Sequence, residues 1–141
     1  MKKTSLFIFI LILLSFTGHG QETILEIRYG SQFGMCDGYC FSETLYVPLN
    51  KTQIRKAWID TVSNPIKINK SKMDILRWND MISTVNLESF FKLEETIGCP
   101  DCDDGGETWV FIKTDQRQKK VAFEYNKTPL ELKALTSILI D

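Results

Sequence analysis

Histidine is almost missing from this sequence. The 141 residues contain one, His19, which lies in an N-terminal segment that we expect to be removed. A mature chain without histidine excludes Ser-His-Asp and Cys-His nucleophilic systems, proton transfer by imidazole and every histidine-containing zinc site. Chemistry would have to come from cysteine, carboxylate, lysine or tyrosine. We therefore favour a non-enzymatic protein that needs no cofactor.

A hydrophobic run long enough to cross a membrane is also missing. Residues 6–16 are almost entirely Leu, Ile and Phe, which is well short of the roughly 20 residues that a spanning helix needs. Lys2 and Lys3 precede this run, and the glycine-rich segment Gly18-His19-Gly20 follows it. That order is typical of a secretory signal peptide. We expect residues 1–20 to be cleaved, leaving residues 21–141 as a periplasmic or secreted chain with no membrane span.

The sequence has no excess of positive charge. It carries 17 basic and 18 acidic residues, and loss of Lys2 and Lys3 with the signal leaves 15 basic residues and a net charge of −3. Binding to nucleic acid depends mainly on neutralising phosphates, so a mildly acidic chain without a basic stripe is a poor candidate. We expect no nucleic-acid partner.

The pattern of apolar residues predicts one α+β domain. Runs of strands rather than a strict strand and helix alternation favour an antiparallel sheet of about five to six strands, with two main helices packed on one face. Period-two patterns rich in β-branched and aromatic residues predict strands at residues 23–29, 43–49, 52–60, 66–68, 107–114 and 119–125. Helical periodicity appears at residues 71–85, 86–93 and 128–139.

Several residues suggest where these elements begin and end. Gly30 is expected to end the first strand, and Pro48 to place the second strand at an edge or to end it. Asn50 is expected to begin a turn. Ser71 with Asp74 resembles a capping box for the main helix, and Asn86 can cap the short helix after it.

The four cysteines form two closely spaced pairs. In a short exported chain this pattern indicates a disulfide framework, because the compartment is oxidising. Three pairings are possible. We slightly favour the local one over a cross-link between the two cysteine loops, which we expect to lie together in the fold. The cysteines are Cys36, Cys40, Cys99 and Cys102.

Two functional alternatives remain open at these cysteines. Cys99-Pro100-Asp101-Cys102 has the spacing of a redox-active pair. The acids and glycines that follow would end a helix and raise a thiol pKa, which is unlike the setting of a thioredoxin-type site. Alternatively, all four cysteines would bind one zinc ion as thiolates.

The second cysteine loop is also rich in acids. Asp101, Asp103, Asp104 and Glu107 offer oxygen ligands of the kind that calcium prefers, but their spacing does not match an EF-hand. We interpret them instead as solvated loop residues and expect no metal. Together with Trp109, the side chains of Asp103, Asp104 and Glu107 form our predicted contact surface.

Three segments resemble a group of small exported bacterial domains of unknown function. They are Gly34-Met35-Cys36-Asp37-Gly38-Tyr39-Cys40 followed by the Leu45-Tyr46-Val47 strand, Cys99-Pro100-Asp101-Cys102-Asp103-Asp104-Gly105-Gly106-Glu107-Thr108-Trp109, and Thr128-Pro129-Leu130-Glu131. Some members have Cys-Phe-Gly-x-Cys-Pro at the first segment, where this chain has Asp37 and Phe41. The resemblance implies a single periplasmic or secreted α+β domain and no known activity.

These observations lead to a function by exclusion. We expect an exported, disulfide-stabilised, non-enzymatic domain that binds a protein or a cell-envelope component. The alternative is thiol-disulfide exchange or zinc binding at the two cysteine loops.

Overall fold

A seven-stranded sheet organises the computed structural model, which describes residues 22–140 as one α+β domain. The predicted signal peptide, residues 1–20, lies outside the described residues. The strands are β1 Ile24–Gln32, β2 Phe41–Val47, β3 Asn50–Lys56, β4 Lys67–Lys72, β5 Thr96–Ile97, β6 Glu107–Thr114 and β7 Gln118–Glu124. The helices are α1 Ile75–Ser83, α2 Leu87–Lys92 and α3 Lys133–Ile140, and short 3-10 turns cover Cys102–Asp104 and Leu130–Leu132.

The sheet is larger than predicted and it is mixed rather than antiparallel. Its strand order is β4-β3-β2-β1-β6-β7-β5. Five neighbouring pairs are antiparallel, but β5 runs parallel to β7. β5 has only two residues, which is too short to show a period of its own, so it was not predicted.

One face of the sheet carries the core, and we call it the inner face. Ile27 pairs with both Tyr46 and Ile112, so these three side chains point to that face. They belong to one cluster of buried apolar residues that also includes side chains from the helices and the turn before α3. Those contributions are Trp78, Met81, Phe90, Leu132, Leu135 and Leu139.

Gly30 does not end β1, contrary to our prediction. It lies inside the strand, paired with Glu43 on one side and Trp109 on the other. A Cβ atom at Gly30 would overlap the indole ring of Trp109 and lie 2.9 Å from the carbonyl oxygen of Ser42. The glycine therefore leaves room for a large side chain on the outer face of the sheet.

The predicted turn and cap residues are partly wrong. Asn50 belongs to β3, and the hairpin turn is made by Pro48 and by Leu49, whose φ is 67°. β2 ends at Val47, immediately before the proline, but it is not an edge strand.

The cap of the main helix also differs from the prediction. Ser71 lies in β4, and Asp74 alone caps α1 by accepting a hydrogen bond from the Leu76 N–H at 2.9 Å. The predicted Asn86 cap is confirmed, because its side chain accepts a hydrogen bond from the Ser89 N–H at 2.9 Å.

Tyr46 links the sheet to α3 and predicts sensitivity to alkali. Its hydroxyl donates to the Leu139 carbonyl at 2.9 Å, and burial raises the pKa of Tyr46. The folded pKa of Tyr46 lies above the unfolded value of about 10. The contribution of this residue to stability is therefore complete below about pH 10 and is lost as pH rises through the raised pKa. We expect Tyr46→Phe to cost about 1–3 kcal/mol at neutral pH, because the carbonyl loses its donor.

The substitution should also flatten the loss of stability in alkali, as measured by urea unfolding between about pH 8 and pH 11. Tyr29, whose pKa is also raised by burial, accounts for the slope that remains. An equal slope in both proteins would contradict the role assigned to Tyr46.

Candidate functional site

Three loops meet at one end of the sheet. They comprise residues 33–40, 57–66 and 98–106, which follow the ends of β1, β3 and β5 respectively. The strand directions place these three strand ends on the same side of the sheet. We call this region the loop end.

The first cysteine loop, residues 33–40, is hydrogen-bonded to both of the other loops. The backbone N–H of Gly34 donates to Asp101 Oδ1 at 3.4 Å, which confirms that the two cysteine loops lie together. On its other side, Trp58 Nε1 donates to the Phe33 carbonyl at 3.0 Å, and the Tyr39 hydroxyl donates to the Pro65 carbonyl at 2.9 Å. The sequence did not indicate that residues 57–66 would join this group.

Both disulfides lie in the loop end. Cys36 is joined to Cys40 with Cα atoms 5.6 Å apart, and Cys99 to Cys102 with Cα atoms 5.5 Å apart. These are the two local pairs. With all four cysteines bonded, none of them offers a thiolate to zinc in this structure.

The two disulfides differ in their exposure. Cys40 is buried, whereas Cys99 and Cys102 are both exposed. Cys102 begins a 3-10 turn of only three residues, which is not the helix N-terminus that stabilises a thiolate in thioredoxin-type sites. The exposed pair is therefore accessible, but its surroundings are not those of a thioredoxin-type site.

The acidic loop has an unusual backbone conformation. Asp101, Asp103 and Asp104 all have positive φ, at 59°, 54° and 56°. Within residues 22–140, no group of three or more His, Cys, Asp or Glu side chains is arranged to hold a metal ion. Glu107 forms an ion pair with Lys120 at 2.9 Å. Of the predicted contact acids, Asp103 and Asp104 are exposed.

Trp109, which we predicted to be part of the contact surface, is only 4% exposed. Its ring packs against Phe41 with ring centroids 5.5 Å apart, and its Nε1 donates to Glu43 Oε2 at 3.2 Å. Trp109 therefore stabilises the outer face of the sheet and does not present a surface to a partner.

Exposed apolar side chains concentrate instead in the loop of residues 57–66. Trp58 is 49% exposed and Val62 is 90% exposed. We call the exposed large apolar side chains of the first cysteine loop, of residues 57–66 and of the beginning of β4 the apolar patch: Met35, Trp58, Ile59, Val62, Ile66 and Ile68. The patch occupies the loop end and the beginning of β4.

The backbone of this loop is held in place by Asp60. Its φ is 50°, and its carboxylate accepts a hydrogen bond from the Ser63 N–H at 3.1 Å. Hydrogen bonding to Ser63 lowers the pKa of Asp60, so the turn keeps its charged acceptor at neutral pH. Trp58 is also fixed, since its ring meets Phe41 edge-on at 6.2 Å.

Two of the grooves among residues 22–140 lie outside the loop end. One, of about 220 Å³, crosses the outer face beside Trp109, but its cations Arg28 and Lys120 already pair with glutamates. The other, of about 630 Å³, runs between β1 and α1 and is mainly apolar. Its one acid, Glu22, has a lowered pKa because it hydrogen-bonds to Arg117.

Comparison with known proteins gives no assignment. No family model matches the chain, and no curated protein matches it. The resemblance to small exported domains therefore stays a prediction. Among residues 22–140, none of the helices has the length and hydrophobicity required to cross a membrane.

Proposed function

We propose that this chain is an exported, non-catalytic binding domain whose loop end recognises a protein or a cell-envelope component. The single observation that carries the proposal is the apolar patch around Trp58. Large exposed apolar areas are uncommon on monomers and mark interaction surfaces.

The geometry of Trp58 supports recognition. Tryptophan is enriched among the residues that dominate binding energy at interfaces. Here the indole is already fixed by its hydrogen bond to Phe33 and its edge contact with Phe41, yet half of its surface remains exposed. A side chain ordered before binding loses less conformational entropy on binding.

The disulfides support the extracytoplasmic part of the proposal. Disulfides persist in oxidising compartments and are rare in reducing ones. Two bonds close the two cysteine loops of the loop end, in agreement with the predicted signal peptide and a periplasmic or secreted location. Membership of the small exported group that the sequence resembles belongs to the same proposal.

We expect Trp58→Ala to weaken partner binding by about 30-fold or more, because loss of a central interface tryptophan costs about 2 kcal/mol or more. Val62→Asp should have a similar effect by placing a charge in the patch. Leu130→Ala is the matched control, since Leu130 is 77% exposed but lies just before α3.

The measurement is capture of native envelope components by the mature protein, with and without each substitution, followed by titration of the captured partner. Equal capture by Trp58→Ala and Leu130→Ala would refute the proposed site.

Thiol-disulfide exchange is the second candidate function, favoured by the exposure of Cys99 and Cys102. It predicts rapid exchange of this one bond with glutathione, while Cys36–Cys40 stays oxidised. Intact mass after alkylation, with and without mild reductant, measures it. An inert Cys99–Cys102 bond would rule out exchange, and binding would remain as the candidate function. Stoichiometric zinc in a metal assay would contradict the disulfides.

A further inference from the structure

The edge strand β4 has an open side. In the sheet of residues 22–140, β4 is hydrogen-bonded to β3 and has no strand beyond it. All six of its residues are exposed, so nothing in the described structure covers that edge. Such an edge presents a row of unpaired backbone donors and acceptors.

The register shows which backbone groups point outwards. Met73 N–H donates to the Leu49 carbonyl at 2.8 Å, and this pair extends by one residue the β3–β4 register, which ends at Asn50 opposite Lys72. Hydrogen-bonded and non-bonded pairs alternate along an antiparallel ladder. The N–H groups of Ile68, Lys70 and Lys72 therefore point away from β3, and their side chains share the outer face of the sheet.

Positive charge is concentrated at this edge. Residues 50–72 contain six basic residues and one acid, although the whole sequence carries slightly more acids than bases. Three of the six cations are in β4 itself, and the others are in β3. The cations are Lys51, Arg55, Lys56, Lys67, Lys70 and Lys72.

The acids of the second cysteine loop do not cancel this charge. That loop leads into β6, which lies four strands from β4 in the sheet order. Strands are about 4.8 Å apart, so the separation is about 19 Å. The Debye length at physiological ionic strength is about 8 Å, which screens charges at that distance.

Protection against aggregation explains only part of this edge. Lysines on an edge strand discourage pairing with other strands. However, Ile68 is 56% exposed in the same strand, and Ile66 next to it is also exposed. A purely protective edge gains nothing from these aliphatic side chains.

A second copy of the chain does not fit the edge. Antiparallel pairing of two copies of β4 centred on Lys70 would oppose lysine with lysine, which is unfavourable between directly facing strands. The other edge of the sheet is β5, which has two residues and cannot match a six-residue strand.

We propose that β4 accepts an extended acidic segment of another protein as an additional strand. The inference rests on the proposed binding role and names the chemistry of the partner. In an antiparallel arrangement, the added strand places acidic side chains opposite Lys72 and Lys70 and an apolar one opposite Ile68. Main-chain hydrogen bonds supply affinity and the alternate side chains supply specificity.

The probes are synthetic peptides with the alternating order Glu-Thr-Glu-Thr-Val-Glu-Val, their Gln-for-Glu counterparts, and vesicles rich in anionic lipid. Calorimetric titration against the mature protein should show the acidic peptide binding at least tenfold more tightly than the Gln peptide. Equal affinities, no binding of either peptide, or binding of vesicles in their place would overturn the inference.

Two variants of Lys70 distinguish the contribution of its backbone N–H to peptide binding from that of its charge. Lys70→Pro removes an N–H that points outwards, so it should leave the β3–β4 ladder intact and abolish peptide binding. Lys70→Gln keeps that N–H and should weaken binding only a fewfold. Urea unfolding verifies that each variant is folded. Unchanged binding by Lys70→Pro would overturn strand addition.

A charge reversal covers the case in which Lys70→Pro does not fold. Lys70→Glu with Lys72→Glu should reject the acidic peptide and bind its Lys-for-Glu counterpart, and failure to do so would also overturn the inference. Trp58→Ala identifies which proposal has failed. If the acidic peptide does not bind at β4 but capture of native partners still depends on Trp58, the inference is overturned and the proposed function stands.

Discussion

Replacing Trp109 by alanine is expected to lower the free energy of unfolding by about 3–5 kcal/mol, the usual cost of removing a buried aromatic side chain. Trp109 is buried although it points to the outer face of the sheet, which the helices do not supply with core residues. The expected loss is therefore as large as that of a residue in the central core.

The neighbours of Trp109 explain this burial. Gly30 lies beneath the ring, Phe41 packs beside it and Lys120 Nζ lies 4.4 Å from its ring centroid. Glu43 accepts the indole N–H, so the substitution also removes the partner of a partly buried carboxylate. Trp109→Ala removes all of these contacts at once, because alanine does not fill the space of the indole ring.

Urea unfolding of the variant measures the effect, with Trp58→Ala as the control. Trp58 is half exposed, and its removal should cost about 1 kcal/mol or less in stability. Gly30→Ala should itself cost about 1–3 kcal/mol by overpacking against the indole, and less in a Trp109→Ala background. Equal losses for the two tryptophan variants would contradict the distinction between a structural and a binding tryptophan.

The sequence predicted the strands that alternate most regularly. β6 runs from Glu107 to Thr114 as expected, and β7 is shifted by one residue, because both combine alternation with β-branched and aromatic residues. β4 was only partly predicted. Its six residues include three lysines, and an exposed edge strand has no buried face to create an apolar pattern.

Residues that depend on long-range contacts were harder to predict. Gly30 has the local chemistry of a strand terminator, but its role is set by Trp109, which is distant in sequence. Trp109 itself was assigned to the wrong environment because alternation identifies two faces without showing that both are covered. Only the packing of Phe41 and Lys120 reveals this.

The candidate site was predicted in part. The adjacency of the two cysteine loops followed from their chemistry and is confirmed by the contact between Gly34 and Asp101. The apolar patch was missed because residues 52–60 were interpreted as one strand, so Trp58 was expected within the sheet. The strand ends at Lys56, and the turn formers Asp60 and Asn64 were the signal for a loop.

Loss of both disulfides is expected to lower the free energy of unfolding by about 4 kcal/mol. The bonds join residues four and three apart in sequence, and chain-entropy arguments assign about 2 kcal/mol to such short rings. Typical domains have about 5–15 kcal/mol in all, so the fully reduced protein should keep about 1–11 kcal/mol of stability. Unfolding in urea, with and without reductant, measures this difference.

Paired serine substitutions separate structural from redox roles. Because Gly34 and Asp101 connect the two loops, the two single losses are coupled, and their deviation from the roughly 4 kcal/mol sum measures that coupling. If the bonds are structural, Cys99→Ser with Cys102→Ser lowers stability but leaves partner binding per folded molecule unchanged. If instead this variant keeps its stability and loses its effect on the partner, Cys99 and Cys102 act chemically and the binding role assigned to the loop end is incomplete.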